Sequence, residues 1–510
     1  MEYIYPKIKQ ITDNEEVSFH VPGHKNGKIL LKYEEEYAKE LYKIDTTEIN
    51  GTDDLHDAKE IIMHSQIRAS KLYNSYKTYF LVNGTTVGIL ASIMSQFKEN
   101  DKVVVQRDCH KAVINGLILS GARPIYIYPK IDKRTNLSLG IESLKLEEIL
   151  KKDKDIKGVI ISSPSYYGIA QDISKISKLT DEYKKILIVD EAHGAHSILD
   201  DKLPKTSLEQ GADISIMSIH KTLPSFTQSS VLHINNKEDI TKKIDIDRLC
   251  MYLKMLQSSS PSYLLMTSLD KAFKIAEQKG KFLMSKLLKE IKKIKEYFKN
   301  NNVFEFLDND DMTKIYIKTK INSLNGKKMH DILEGRYNII PEFHDEKGVL
   351  LVTSIGNDEK DFSKLKRALE EIIKEYDIKN KSKIEVKASK TNQKTKKIKI
   401  NQNDKIKESK EYNEDELKKE KNIFNILDDN LVLTPKEAFN TKSKQIIKLK
   451  DSVNQISNEF IIPYPPGIPI LVPGERITKA IIDYVISNKD TINILGLKDD
   501  TNTNIEVSNS

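Results

Sequence analysis

Cysteine is scarce. Two residues, Cys109 and Cys250, in a chain of 510 exclude a disulfide framework and a cysteine-based metal cluster. No apolar run approaches the length of a membrane span. The opening "MEYIYPKIKQITDNEE" turns charged before an apolar stretch forms, so no signal peptide is expected and the cytoplasm is the expected compartment. A strong charge of one sign is missing too. Lys and Arg total 82 against 75 Asp and Glu, an excess of +7, much of it in one lysine-rich stretch. No basic groove interleaved with aromatic residues is visible, so neither nucleic acid nor a membrane is an expected partner.

What is present is a hydrophobic content of 38%, enough for a large core, in a length that suggests about two to four domains. Residues 1–77 read as an N-terminal arm with turn-rich loops, "EEVSFHVPGHKNGK" and "TTEINGTDDLHDAKEII", and a helix starting near Asp57. From 78 to 262 short apolar runs alternate with helical patterns. "TYFLV", "DKVVVQ", "RPIYIYP", "KGVIISSP", "KILIVDEA", "ADISIMSIHK" and "SSVLHIN" are the expected strands. Runs apolar on both faces belong to a sheet covered by helices, which predicts an α/β fold with largely parallel strands. Residues 263–376 are expected to hold a long connecting helical region, Tyr263 to Tyr297, and a smaller α/β unit. Residues 377–420 are rich in Lys, Asn, Glu and Ser and are expected to be a flexible or partly helical linker. Apolar residues return in 421–510, where "TPKEAFN" reads as a helix start and "EFIIPYPPGIPILVPGERIT" as part of a compact C-terminal domain.

The chemistry sits at two strand ends. "KKILIVDEAHGAH" ends its apolar run at Asp190, and "GADISIMSIHK" leads to Ser218, His220 and Lys221. Sites in open α/β sheets lie beyond the carboxyl ends of strands. A buried aspartate and lysine are equally an ordinary ion pair. A lysine also makes an imine with a carbonyl cofactor such as pyridoxal phosphate, and an acid facing the pyridine nitrogen keeps that ring a good electron sink. The phosphate then needs amides and hydroxyls at a helix start, and "NGTT" offers Gly84, Thr85 and Thr86 there. Taken alone, "NGTT" is also the wording of a helix cap. His110 in "RDCHK" is a candidate to stack on the ring. His193 and His196 share a metal-like spacing without a third ligand, so no metal is expected. His193 is placed near the ring edge and His196 is taken as structural.

In order and wording these pieces resemble the Orn/Lys/Arg decarboxylase family, in its compact members. The strings that carry the resemblance are "FHVPGHKNG", "DDLHDAKEII", "VNGTTVGI", "RDCHKAVINGLILSGARP", "SPSYYGIAQDI", "VDEAHGAH", "SIHKTLPSFTQSS", "SYLLMTSLD" and "PYPPGIPILVPGE". They cover nearly the whole chain except the lysine-rich stretch. The resemblance implies a fold type I (aspartate aminotransferase-like) pyridoxal-phosphate enzyme with a small α/β domain and a C-terminal domain. It implies Lys221 as the imine-forming lysine, Asp190 at the pyridine nitrogen and His110 on the ring. Thr85, Thr86, Ser218 and His220 would hold the phosphate, with Gly84 in the same turn, and His193 would lie beside the ring. Where the family often has "RNCHKS", this chain has Asp108 and Ala112.

The implied reaction is decarboxylation of a basic amino acid, with L-arginine to agmatine and CO2 expected first, then lysine or ornithine. Asp53, Asp54, Glu342 and Asp345 are candidate partners for the substrate's distal cation. "PGHKNG" offers His24 and Lys25 to a site, a neighbouring subunit's included. A homodimer or higher homo-oligomer is the expected assembly. An aminotransferase on the same fold and a catalytically inactive cofactor-binding protein are the rival readings.

Overall fold

The computed structural model describes residues 17–394, 430–464, 467–488, 493–498 and 503–508, with backbone alone over 377–394. At its centre is a seven-stranded sheet. Its strands are β2 (Ser75–Leu81), β3 (Lys102–Gln106), β4 (Arg123–Ile127), β5 (Ile156–Ser162), β6 (Ile186–Asp190), β7 (Ile214–Met217) and β8 (Ser230–Asn235). They lie in the order β2-β8-β7-β6-β5-β3-β4. Strands β4, β3, β5, β6 and β7 pair in parallel, while β8 runs against both its neighbours.

Both faces of the sheet are covered, which is why its strands read as unbroken apolar runs. On one face the helices Gly84–Gln96, Lys111–Ser120 and Ile246–Leu256 share a core with Val103, Val105, Ile160, Ile188 and Ile216. On the other, Ser143–Lys152 and Ile173–Glu182 pack on Val104, Val159, Ile161, Leu187 and Val189. Chain punctuation matches local chemistry: Gly121, at φ 76°, ends the Lys111–Ser120 helix in the left-handed region that glycine enters without strain. Because six strands, β2 to β7, share one direction, Gln106, Ser162, Asp190 and the segment after Met217 all arrive at the same edge.

The helical region expected from Tyr263 to Tyr297 is two helices, Tyr263–Ile275 and Lys281–Tyr297, joined through a wider π-helical turn. The small unit is an antiparallel sheet, β12-β13-β10-β9, of strands Phe343–His344, Gly348–Val352, Lys314–Thr319 and Phe304–Phe306. The N-terminal arm joins it: β1 (Val17–Phe19) pairs with β11 (Ile339–Pro341) in parallel. The helix that closes this unit runs Glu359–Lys394 and continues into the stretch read as a linker; residues 395–420 of that stretch lie outside the described residues.

The C-terminal module has its own core around Leu449, Ile461, Leu471, Ile481, Val485 and Ile505. Its "TPKEAFN" start is a capping box: Thr434 accepts the Glu437 amide, and Glu437 accepts the Thr434 amide in return. Val472 crosses over to pack in the core of the large sheet.

Candidate active site

A cavity of about 490 Å³ opens at the carboxyl edge of the large sheet. One end is the start of the Gly84–Gln96 helix, where Gly84, Thr85 and Thr86 line the wall. Asn83 offers no side-chain cap to this helix. Gly84, at φ +72°, has nothing within 4 Å of where a Cβ would stand, so the space before the helix start is open. Ser218 reaches the same corner and donates to Thr85 Oγ1 at 3.3 Å. First-turn amides, hydroxyls and the positive end of a helix together make an anion site.

Lys221 stands on the short helix Ile219–Thr222 that follows β7, and its Nζ lies 3.0 Å from His193 Nε2. Burial lowers its pKa, against the opposing pull of Asp190 and Glu342. The deprotonated amine is the nucleophilic form. Asp190 ends β6, buried, with a carboxylate that accepts the Ala192 amide at 3.2 Å. Burial raises its pKa and Lys221 counters the rise.

His110 is the N-cap of the Lys111–Ser120 helix, its Nδ1 accepting the Ala112 amide at 3.2 Å. This contact uses backbone, so Ala112 costs the cap nothing. Burial, then the charge of Lys221, brings the His110 pKa down to about 4, and the ring is neutral. His220, also at about 4 through burial, donates from Nδ1 to the Ser229 carbonyl at 3.0 Å. His193 is held well below its ordinary value by burial, packs 4.3 Å from the Tyr166 ring, and leaves a buried Nδ1 without a partner. His196 lies apart, fixed by Asp311 and Thr313 at 3.1 and 3.0 Å.

The structure therefore brings Gly84, Thr85, Thr86, His110, Asp190, His193, Ser218, His220, Lys221 and Glu342 to one cavity. It does not bring the other candidates there. Asp53 accepts the backbone amides of Asp54, Lys59, Glu60 and Ile62, and the helix begins at Ile61 instead of near Asp57. Asp54 caps the turn Leu55–Asp57. Asp345 is held by the hydroxyls of Tyr167 and Tyr316. Lys25 is buried with its Nζ on the carbonyls of His20 and Val352, and His24 packs edge-on against Phe226 while accepting the Gly27 amide. The "PGHK" loop meets the site through its backbone, the Gly23 amide donating to the His220 carbonyl at 2.7 Å.

Glu342 enters the cavity with Oε1 accepting from Tyr166 at 2.5 Å and Oε2 from the Val21 amide at 2.7 Å. Sequence reasoning gave no role to several lining residues: Gln106, Ser162, Tyr166, Tyr464 and Ile468. Position just past an apolar run was an available signal for Gln106, Ser162 and Tyr166. Tyr464 and Ile468 come from the C-terminal module, which no local pattern places over this sheet.

The donor set suits a flat, phosphate-bearing carbonyl compound: an open helix start for the anion, an amine across the cavity, and a buried acid. Among the described residues no helix is long and apolar enough to cross a membrane. Residues 4–332 match the model for the Orn/Lys/Arg decarboxylase major domain, and residues 418–501 match that for the Orn/Lys/Arg decarboxylase C-terminal domain. The chain is 35% identical to the uncharacterized protein YaaO of Bacillus subtilis, over 93% of this chain and 92% of that one. It is 31% identical to arginine decarboxylase of the same organism, over 98% and 96%. Among solved structures, the lysine decarboxylase LdcF of Francisella novicida superposes with a TM-score of 0.73 at 20% identity, covering 99% of this chain and 80% of that one.

Proposed function

The chain belongs to the Orn/Lys/Arg decarboxylase family, and we propose that it removes the α-carboxylate of a basic amino acid, converting L-arginine to agmatine and CO2. The observation that carries this is the placement of Lys221 and Asp190 beyond neighbouring strands β7 and β6, on one cavity with the open helix start at Gly84.

The family implies pyridoxal phosphate, which when bound supplies a conjugated ring that accepts the electron pair released with CO2. Thr85, Thr86, Ser218, His220 and the amides after Gly84 would hold its phosphate. Lys221 Nζ would hold its carbonyl carbon. Asp190, buried at the end of β6, would hold a proton at the ring nitrogen. His110, a neutral imidazole, would cover the ring. His193 would lie beside the ring and orients Lys221 Nζ at 3.0 Å. The buried walls exclude water from the reacting atoms.

Arginine is preferred to lysine and ornithine because the relative named arginine decarboxylase is similar over nearly the full length. Glu342 is the acid for the distal cation. Each of its oxygens already accepts one hydrogen bond, and an ionised carboxylate has about four acceptor positions, which leaves room for a guanidinium. A homodimer or larger homo-oligomer, a cytoplasmic setting, a place in polyamine synthesis and domain limits at 77, 262, 376 and 420 complete the proposal.

The test is product analysis with pyridoxal phosphate and arginine, lysine or ornithine supplied separately. Agmatine with equimolar CO2 is expected. Cadaverine or putrescine would change the substrate, a keto acid would indicate an aminotransferase, and bound cofactor without turnover would leave a binding protein.

A further inference from the structure

The wall that carries His110 is gripped from the C-terminal module. Arg107 follows the end of β3, three positions before His110, and is 1% exposed. Its guanidinium meets Glu475 in a two-pronged pair, Nε to Oε1 and Nη2 to Oε2, both at 2.7 Å. Nη1 donates to the Pro469 carbonyl at 2.8 Å, and Glu475 Oε2 also accepts the Val472 amide at 3.0 Å. One buried cation thus fixes the loop that ends at Glu475. That loop faces the cavity: Tyr464 and Ile468 line it, and a Cβ on Gly467 would stand 3.9 Å from the His110 ring.

A fully buried ion pair is weak evidence for stability, because desolvation cancels much of its attraction. Its two parallel hydrogen bonds do fix orientation. Joining the modules does not by itself call for a buried charge, since Lys436–Glu99 and Arg123–Glu437 already tie them at the surface and Val472 packs across the boundary. The turn from Arg107 to His110 is short and pinned, with the Arg107 amide on the Ile127 carbonyl and the Cys109 amide on the Gln106 carbonyl. Whatever fixes the Arg107 side chain therefore fixes where His110 stands.

We infer that Arg107 and Glu475 are positioning residues for the decarboxylation, through which the C-terminal module sets the His110 wall of the site. The inference rests on the reading of His110 as the residue that covers the cofactor ring.

The experiment compares the full-length chain, loaded with pyridoxal phosphate, with four variants: Glu475→Gln, Arg107→Met/Glu475→Leu, His110→Ala, and a clasp variant that also carries His110→Ala. The double variant leaves no buried charge unpaired. Induced circular dichroism of the bound cofactor, kcat, KM and thermal melting are measured on each. Both clasp variants are expected to keep their secondary structure and bound cofactor. Their induced dichroism should fall at least twofold and kcat at least tenfold, with KM within threefold of the parent. Adding His110→Ala to a clasp variant should cost less than a further twofold in kcat. Clasp variants with the parent's dichroism and kcat, beside an impaired His110→Ala, would overturn the inference alone. A His110→Ala variant equal to the parent would instead remove the His110 reading and the inference with it. Should Glu475→Gln not fold because the Arg107 charge is left buried and unpaired, the double variant carries the same comparison.

Discussion

At the scale of single residues, the site is a set of ionisable groups forced toward neutrality by burial. The Lys221 amine, the Asp190 carboxyl and the His110, His193 and His220 imidazoles are all shifted in the direction that disfavours charge. Replacing Lys221 by Ala should reduce turnover by at least a thousandfold while the melting temperature stays within a few degrees of the parent, measured by CO2 release and thermal unfolding. Replacing Glu342 by Gln should raise KM for arginine about tenfold or more with a smaller change in kcat, because its proposed role is on the distal cation and not on the reacting bond; equal losses in both would assign it elsewhere. These residues were legible to different degrees. Lys221 and Asp190 stand where apolar runs end, and that register is written locally. The loop acids were not legible, since Asp345 answers to Tyr167 and Tyr316, and Asp53 answers to backbone amides that exist only once the helix forms.

At the scale of elements, the alternation of apolar runs and helical periods located the strands of the large sheet and the helices between them. It left open that β8 is reversed, because a buried strand reads the same in either direction. The lysine-rich composition after 376 pointed to a flexible or partly helical linker, and helix does continue to Lys394, since lysine and glutamate are good helix formers. The misplaced start near Asp57 has its cause in one side chain. Asp53 reaches across the turn and accepts amides up to Met63, serving as a remote cap. Partial burial would raise its pKa, but these backbone amides outweigh that and lower it. Asp53→Ala should therefore destabilise the fold by about 2 kcal/mol, the scale of lost hydrogen bonds to a charged group. The denaturant midpoint of the variant would read this. An unchanged midpoint with a raised KM for arginine would return Asp53 to the substrate.

At the scale of the whole molecule, the parts are joined by contacts that no local pattern contains: β1 on β11, the Gly23 amide on the His220 carbonyl, and Arg107 on Glu475. Their pH response is a property of the assembled fold. Glu191, next to Asp190, is 2% exposed, and burial raises its pKa to about 7 despite hydrogen bonds from Ser207 and Ser215. A carboxyl raised in the folded state contributes stability that is fully present below its unfolded pKa of about 4.3 and is lost as pH rises through the folded value. The loss here amounts to roughly 3 kcal/mol between about pH 4.5 and 7.5. His24, His110 and His220, each brought down to about 4, act in the opposite sense, with their contribution present above about pH 6.5 and lost as pH falls. The two effects overlap between about pH 4.5 and 6.5, where three imidazoles outweigh one carboxyl and the parent should gain stability as pH rises. Glu191→Gln should remove only the first. Melting temperatures of parent and variant, taken at fixed ionic strength from pH 5 to 8, should separate as pH rises, the variant gaining on the parent up to about pH 7.5 and no further. Parallel curves would mean that Glu191 is ionised throughout this range, with the Ser207 and Ser215 hydroxyls outweighing its desolvation.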